Sequence, residues 1–154
     1  MASPRVLKVQ ITDITCGENV TIIEPSNVYG CELKDDVFVG PFVEIQKNSV
    51  IGERSKIQSH TFICEYVTIG SDCFVGHGVM FANDLFKDGK PDPNPDSWGR
   101  TVIANNVTIG SNATVLPVSV CEGVVIGAGS VVTKDITEKG IYAGNPAKKL
   151  RDLP

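Results

Sequence analysis

Few side chains in this 154-residue sequence are suited to chemistry. Its two histidines, His60 and His77, could accept or donate a proton, because imidazole titrates near neutral pH. Five cysteines stand at positions 16, 31, 64, 73 and 121. Their odd number and the lack of a Cys-x-x-Cys pair disfavour a disulfide framework and a zinc site. We therefore expect most of these thiols to act as small buried hydrophobic groups.

A period of six residues organises the elements that must position these groups. Aliphatic or aromatic residues recur at every sixth position from Leu33 to Phe81, and the series resumes at Ile103 after one interruption. Neither a helix, with its period of 3.6, nor a single alternating strand has this spacing. A unit of six supplies one short strand and one corner, and three units make one triangular coil that stacks on the next. The sequence therefore predicts an all-β fold, a parallel β-helix of about six coils.

The period also places the candidate residues and divides the chain. His60 and His77 follow the inward positions Ile57 and Val75 closely, so we expect them on turns. Residues 83–101 are rich in Pro, Asp and Gly and predict a protruding loop, which is either functional or a tolerated insertion. We predict one domain, with a β-helix over residues 1–133 and a short C-terminal tail or helix over residues 134–154.

Two segments carry a resemblance to a known family. Ile126–Asp135 reads IGAGSVVTKD, and Gly144–Ala147 reads GNPA. Together with the repeats they resemble the hexapeptide-repeat acyltransferases, whose β-helix is left-handed and whose co-substrate is acetyl-CoA. The resemblance implies that small residues admit the pantetheine arm and that cations meet the phosphates, although a solvated basic tail is the alternative. The cofactor-binding residues it implies are Gly110, Ala128, Gly129, Lys134, Asn145, Pro146, Lys148 and Arg151.

A third segment, Val79–Asn83, is similar to a stretch of the N-acetyltransferases that act on nucleotide-linked amino sugars in surface-polysaccharide synthesis. The resemblance implies that Asn83 holds the reacting amine. His60 is a second catalytic candidate because of its place on a turn, and an incidental exposed histidine is the alternative. Related O-acetyltransferases use a histidine in an extended loop, and the loop here has none, which favours an amine acceptor over a hydroxyl. The substrate-binding candidates are Glu65, which is otherwise a solvated corner carboxylate, and His77, Phe81 and Asp84.

The family's members are homotrimers with sites between subunits, and we expect the same here, since the loop has few apolar residues with which to pack on its own chain.

A net charge of −4 disfavours a nucleic-acid partner, and no apolar stretch is long enough for a membrane span, so we expect a cytoplasmic protein. Two histidines fall short of the three that hold zinc in the γ-carbonic anhydrases. An O-acetyltransferase, a non-catalytic β-helix scaffold and one domain of a longer enzyme stay open.

Overall fold

The computed structural model describes residues 3–154, which form short β-strands and one 3₁₀ helix, Pro95–Ser97. The strands are, in chain order, β1 (Ile11–Thr12), β2 (Thr15–Cys16), β3 (Thr21–Ile22), β4 (Asn27–Tyr29), β5 (Glu32–Leu33), β6 (Phe38–Val39), β7 (Glu44–Ile45), β8 (Val50–Ile51), β9 (Lys56–Ile57), β10 (Phe62–Ile63), β11 (Val67–Ile69), β12 (Phe74–Val75), β13 (Met80–Phe81), β14 (Thr101–Ile103), β15 (Thr108–Ile109), β16 (Thr114–Val115), β17 (Ser119–Val120), β18 (Val124–Ile126), β19 (Val131–Val132), β20 (Gly140–Ala143) and β21 (Lys148–Arg151). No helix in this range is long and apolar enough to cross a membrane.

Every third strand joins the same sheet, so the chain winds into a prism with three faces. The first sheet has the order β1-β4-β7-β10-β13-β16-β19, the second β17-β14-β11-β8-β5-β2, and the third β21-β20-β18-β15-β12-β9-β6-β3. The predicted left-handed parallel β-helix is confirmed. It has about seven coils rather than six, because β1 to β3 form a first coil whose Ile11, Cys16 and Ile22 are not spaced regularly by six.

The residues at the sixth positions fill the prism. Leu33, Ile45, Ile63 and Val115 are each fully buried, as the periodicity predicts. The two-residue strands are joined by turns in which one residue of each hexapeptide from 36 to 72 has a positive φ, between 57° and 68°. That conformation disfavours most side chains but lets the chain bend sharply between strands. The fold thus presents its turns in vertical columns along three edges.

The C-terminal end differs from the prediction. Ile136 bridges Val120, and β20 pairs in parallel with β18, so the last coil continues to Ala143 instead of ending at residue 133. The chain then turns back as β21, antiparallel to β20, where the sequence predicted a tail or short helix. The sixfold pattern is interrupted after Val132 because the next inward position, Ile136, follows after only four residues. Sequence spacing therefore hides the strands at this end.

Candidate functional site

The candidate residues lie along two of the three edges of the prism. We call the edge between the first and second sheets the loop edge, because the segment between β13 and β14 protrudes from it. The edge between the third and first sheets is the glycine edge, after Gly76, Gly110 and Gly127, which follow the inward residues there. The face of the first sheet separates the two edges.

Asn83 and Glu65 are neighbours on the loop edge. They follow β13 and β10, which are paired in the first sheet, and the Nδ2 group of Asn83 donates a hydrogen bond to the backbone oxygen of Glu65 at 3.3 Å. Lys47 occupies the same position one coil earlier, and its Nζ lies 3.7 Å from Glu65 Oε1. Lys134 follows β19 and so lies on this edge too, two coils beyond Asn83. Three of the predicted residues thus share one column.

The carboxylate of Glu65 is unusual because one of its oxygens lacks a partner. The side chain is 12% exposed, and within residues 3–154 its buried Oε2 accepts no hydrogen bond. A buried, unpaired acceptor costs free energy unless a donor reaches it. Glu65 is therefore more than the solvated corner carboxylate that the sequence left as an alternative. Its contact with a positively charged or hydrogen-bond-donating ligand stays a prediction.

A polar cluster beside Glu65 was not predicted. Gln46 Oε1 accepts the backbone N–H of Glu65 at 3.3 Å, and Gln46 Nε2 donates to Glu44 Oε1 at 2.9 Å. Burial, followed by the charges of Glu44 and Glu65, raises the pKa of Tyr29, so its phenol is a neutral hydroxyl at neutral pH. The signal in the sequence is the length of one coil: residues 17 or 18 apart, such as Tyr29 and Gln46, stack on one another.

Asp84 organises the loop that follows Asn83. Its Oδ1 accepts the N–H of Phe86 at 2.9 Å and its Oδ2 the N–H of Asp92 at 2.7 Å. The indole N–H of Trp98 donates a hydrogen bond to the backbone oxygen of Asp92 at 3.0 Å. These bonds hold the loop within a single chain, so its scarcity of apolar residues does not by itself require a neighbouring chain. A substrate contact through Asp84 stays a prediction.

Both ends of the loop are anchored next to the site. The N–H of Gly99 donates to the backbone oxygen of Asn83 at 2.8 Å and closes the neck. Beyond it, the guanidinium of Arg100 stacks on the ring of Tyr66 at 4.6 Å from the centroid. Inside the loop is a cavity of about 120 Å³, lined in part by Lys87 and Lys90. The neck fixes the backbone from which the Asn83 side chain projects.

Phe81 does not take part in the site. It occupies an inward position and is 2% exposed, so its ring packs in the core. Met80, the preceding residue, points outward and is 42% exposed. The predicted substrate contact of Phe81 is therefore wrong, because the sixfold phase that buries its neighbours in the sequence buries this side chain as well.

The two histidines lie on turns, as predicted, but on the glycine edge. Both are exposed, and they occur one coil apart, after β9 and β12. The imidazole of His60 packs against the ring of Phe42 with centroids 5.0 Å apart. Since a whole sheet face intervenes, one chain does not bring His60 to Asn83. The two predicted catalytic residues can meet only if different chains supply them.

The glycine edge brings together most of the small residues predicted for the cofactor. The N–H of Val131 donates to the oxygen of Gly144 at 2.9 Å, which seats the turn containing Asn145 and Pro146 beside Ala128 and Gly129. Ala128 and Gly129 are exposed, and a Cβ added to Gly129 would meet nothing within 4 Å. Accessible backbone of this kind fits a thin ligand that is recognised through amide groups.

Gly110 has a different function from Gly129. A Cβ at Gly110 would lie 2.4 Å from the backbone nitrogen of Ala128, closer than real atoms approach. This glycine therefore allows the next coil to stack, and it shapes the edge from beneath. Its predicted role in cofactor binding stays a prediction.

The basic residues are distributed over two places. Lys148 and Arg151 are exposed on β21, near the glycine edge. Lys149 is held by Glu138 at 3.2 Å and Asp152 at 2.7 Å, and these two acids raise its pKa, so its charge is largely compensated. Lys134, in contrast, lies on the loop edge. The predicted phosphate-binding cations are therefore not one cluster.

The buried thiols have no nucleophilic character. Burial raises the pKa of Cys31 to about 11 and that of Cys64 to about 12, and it also raises the pKa of Cys73. Cys16 is exposed, in contrast to the expectation for most thiols, and Cys121 is partly buried. All five are free, and no cluster of potential metal ligands occurs among residues 3–154.

Comparisons with known proteins support the reading of the repeats. The model described as "Bacterial transferase hexapeptide (six repeats)" matches residues 30–65, and "Hexapeptide repeat of succinyl-transferase" matches residues 100–134. Both are models of hexapeptide-repeat transferases, and the matches support an acyltransferase. The matched segments include the loop-edge residue Glu65 and the glycine-edge residues Gly110, Ala128 and Gly129.

Solved structures resemble this chain over most of its length. The polySia-specific acetyltransferase NeuO is 26% identical with a TM-score of 0.66, over 94% of this chain and 85% of that one. A His-to-Asn variant of perosamine N-acetyltransferase from Caulobacter crescentus, with CoA and GDP-perosamine, is 24% identical with a TM-score of 0.73, over 86% and 57%. The acetyltransferase VCA0836 from Vibrio cholerae O1 biovar eltor, with acetyl-CoA, is 23% identical with a TM-score of 0.69, over 81% and 72%. The chain thus spans little more than half of the perosamine enzyme.

Proposed function

We propose that this acyltransferase moves the acetyl group of acetyl-CoA to the amine of a nucleotide-linked amino sugar. The observation that carries the proposal is the pairing of Asn83 with Glu65 on the loop edge. Asn83 uses its Nδ2 on the backbone of Glu65, which leaves its Oδ1 to accept a hydrogen bond from an amine. The unpartnered Oε2 of Glu65 lies on the adjoining coil. Solved structures of acetyltransferases with CoA and GDP-perosamine, or with acetyl-CoA, support the substrate classes.

The reaction requires little proton chemistry from the protein. The neutral amine attacks the thioester carbonyl, a C–N bond forms, and the tetrahedral intermediate collapses with cleavage of the C–S bond. The proton lost by nitrogen ends on the CoA sulfur. Asn83 would orient the attacking lone pair, and Glu65 would hold the substrate by hydrogen bonding. Positioning of this kind supplies a large part of the rate enhancement in bimolecular transfer.

Acetyl-CoA would lie along the glycine edge. The exposed backbone of Ala128 and Gly129 suits the amide groups of the pantetheine arm, and the neighbouring turn at Asn145 and Pro146 extends the same surface. Lys148 and Arg151 would pair with the phosphates as charge-assisted donors. Lys134, on the loop edge in the column of Asn83, would join them only from a neighbouring chain.

We infer a homotrimer whose sites form between chains, since the two edges of one chain are separated by the first sheet. The loop edge of one copy and the glycine edge of the next would then form each site, and His60 or His77 would enter from the neighbour. A mixing experiment tests this directly. Asn83→Ala disables one edge and Ala128→Trp blocks the other, so neither variant is active alone. Random hybrid trimers should regain about a quarter of the wild-type sites, because each site takes its edges from two chains.

The function is tested with acetyl-CoA and a panel of amino sugars linked to UDP, GDP or dTDP, read by thiol release. Acetylation of one of them with conversion of its amine to an amide supports the proposal. Acetyl-CoA binding weaker than millimolar, together with no thiol release, would favour a non-catalytic scaffold. Sedimentation showing a stable monomer would refute the shared site.

An O-acetyltransferase acting on a sugar is the second candidate. It is favoured by the similarity to NeuO, a polySia-specific acetyltransferase, and by the exposed His77, which could serve as a base for a hydroxyl. Polysialic acid is therefore included in the panel. Release of thiol with that acceptor, abolished by His77→Ala but not by Asn83→Ala, would replace the amine proposal.

A further inference from the structure

A groove at the N-terminal end of the loop edge has no role in the function described so far. Its volume is about 460 Å³, within the range of small-molecule sites, and it is open to solvent. The extended segment before β1 forms one wall with Lys8 and Gln10. The other wall is formed by Tyr29, the last residue of β4, and by Lys47, which follows β7 on the next coil.

The lining of this groove suits a nucleoside diphosphate. The ammonium groups of Lys8 and Lys47 are opposed by a single carboxylate in the lining, that of Asp13. Lys47 is 55% exposed and meets Glu65 only at 3.7 Å, so its charge is available to a phosphate. The half-buried ring of Tyr29 provides a flat face for a base, as aromatic side chains do in other nucleotide-binding proteins.

The groove is in line with the candidate site. Gly30, Lys47, Glu65 and Asn83 occupy one position on four successive coils, as the registers of β4, β7, β10 and β13 show. Strands in a sheet are spaced by 4.7–4.9 Å, so Asn83 lies about 14 Å from the groove end of this column. A pyranose ring and a diphosphate together bridge a gap of that size. Gly30 allows its coil to pack closely against Lys47, because a Cβ there would lie 2.6 Å from the Cβ of Lys47.

We propose that this groove, between Lys8, Tyr29 and Lys47, binds the nucleoside diphosphate of the sugar substrate. The substrate then runs along the loop edge, with its base at Tyr29, its diphosphate at Lys47, its sugar over Glu65 and its amine at Asn83. The inference rests on the proposed acetylation of a nucleotide-linked amino sugar. It adds a direction for the substrate and residues that recognise the nucleotide.

The proposal is tested by calorimetry with dTDP, UDP, GDP and inorganic pyrophosphate, using the full chain. Wild type should bind at least one nucleoside diphosphate. Lys47→Ala should weaken that binding by about tenfold or more, through loss of a charge-assisted contact. Tyr29→Leu should weaken binding of the nucleotide but not of pyrophosphate. Lys56→Ala is the matched control, because Lys56 is an exposed lysine on the third sheet, away from the loop edge.

Steady-state kinetics distinguish nucleotide binding by Lys47 from a purely structural role of this residue. Lys47→Ala should raise KM for the nucleotide-linked amino sugar while kcat and the Kd of acetyl-CoA stay within about twofold, because the nucleotide is bound equally in ground and transition states.

The outcomes separate this inference from the proposed function. If thiol release with amino sugars is observed but no nucleoside diphosphate binds, or Lys47→Ala binds it as wild type does, the groove proposal is wrong and the acetyltransferase proposal stands. If pyrophosphate binds as tightly as the nucleotides, the role of Tyr29 is wrong. If neither acetyl-CoA nor any amino sugar is used while a nucleotide binds in the groove, the proposed function fails and the nucleotide site stands.

Discussion

Replacement of Asn83 by alanine tests the candidate site at its centre. The side chain makes one hydrogen bond in the structure, from Nδ2 to the oxygen of Glu65 at 3.3 Å, while its backbone oxygen holds the loop neck through Gly99. Asn83→Ala keeps the backbone contact and removes only the amide. Loss of one such bond costs about 0.5–1.5 kcal/mol of stability, a fall of about 1–6 °C in Tm for a chain of this size.

The effect of Asn83→Ala on catalysis should be much larger than its effect on folding. An attacking group that is misplaced by about 1 Å can lose about 100-fold in rate, equivalent to about 2.7 kcal/mol in the barrier. We therefore expect kcat to fall about 100-fold with the Kd of acetyl-CoA unchanged within about twofold, because Ala128 and Gly129 are on the other edge. Steady-state thiol release and calorimetry with CoA provide the two numbers.

The control for this experiment is Asn106→Gly. Asn106 has a φ of 57° and lies on the edge between the second and third sheets, where glycine tolerates the same conformation. The Asn106→Gly substitution removes an asparagine side chain from a turn that belongs to neither candidate edge. Both kcat and the Kd of acetyl-CoA should therefore stay at wild-type values. Equal losses of kcat and CoA affinity in Asn83→Ala would refute the reasoning, since they would place the amide at the cofactor and not at the amine.

Three further predictions concern the prism and its edges. Gly110→Ala should lower Tm by several degrees and weaken acetyl-CoA binding, because its Cβ would displace the next coil. Gly129→Ala should cost only about 1–2 kcal/mol of backbone strain and leave the stacking of the coils intact. Differential scanning calorimetry and CoA titration distinguish the two variants. Ile63→Ala should destabilise the fold by about 2–5 kcal/mol, measured by urea unfolding, because the side chain is fully buried. At pH 8 a thiol reagent should label Cys16 in the native protein and reach Cys64, whose pKa is about 12, only after unfolding; rapid labelling of native Cys64 followed by mass spectrometry would contradict its burial.

The sequence predicts the interior of this fold better than its ends. A period of six places Leu33 and Ile45 inside the prism without ambiguity, because each unit repeats the same local geometry. The first and last coils escape the pattern, since Cys16 breaks the spacing and Tyr142 occupies the inward register of Ile126 after an irregular connection. Local periodicity cannot detect a strand that is defined only by its pairing with a distant one.

The candidate site was predicted in some of its members, but the way that they are grouped was not. The resemblance supplied Asn83, and one coil length of 18 residues places Glu65 beside it. That rule also puts Lys47 on the loop edge, whereas the position of Lys134 follows only from the strand pairing across the inserted loop. The separation of His60 from Asn83 depends on which of the three corners follows each strand, and that assignment requires counting strands around the prism.

The column of stacked turns has a consequence for how such a protein can change its substrate. Positions along the loop edge are available only in steps of one strand spacing, so the span between Asn83 and any group that recognises the far end of a substrate is set by a whole number of coils. Inserting or deleting 18 residues between them would lengthen or shorten that span by one step while leaving both ends unaltered. A longer acceptor can therefore be accommodated by adding one coil, without a change in the residues at either end of the site.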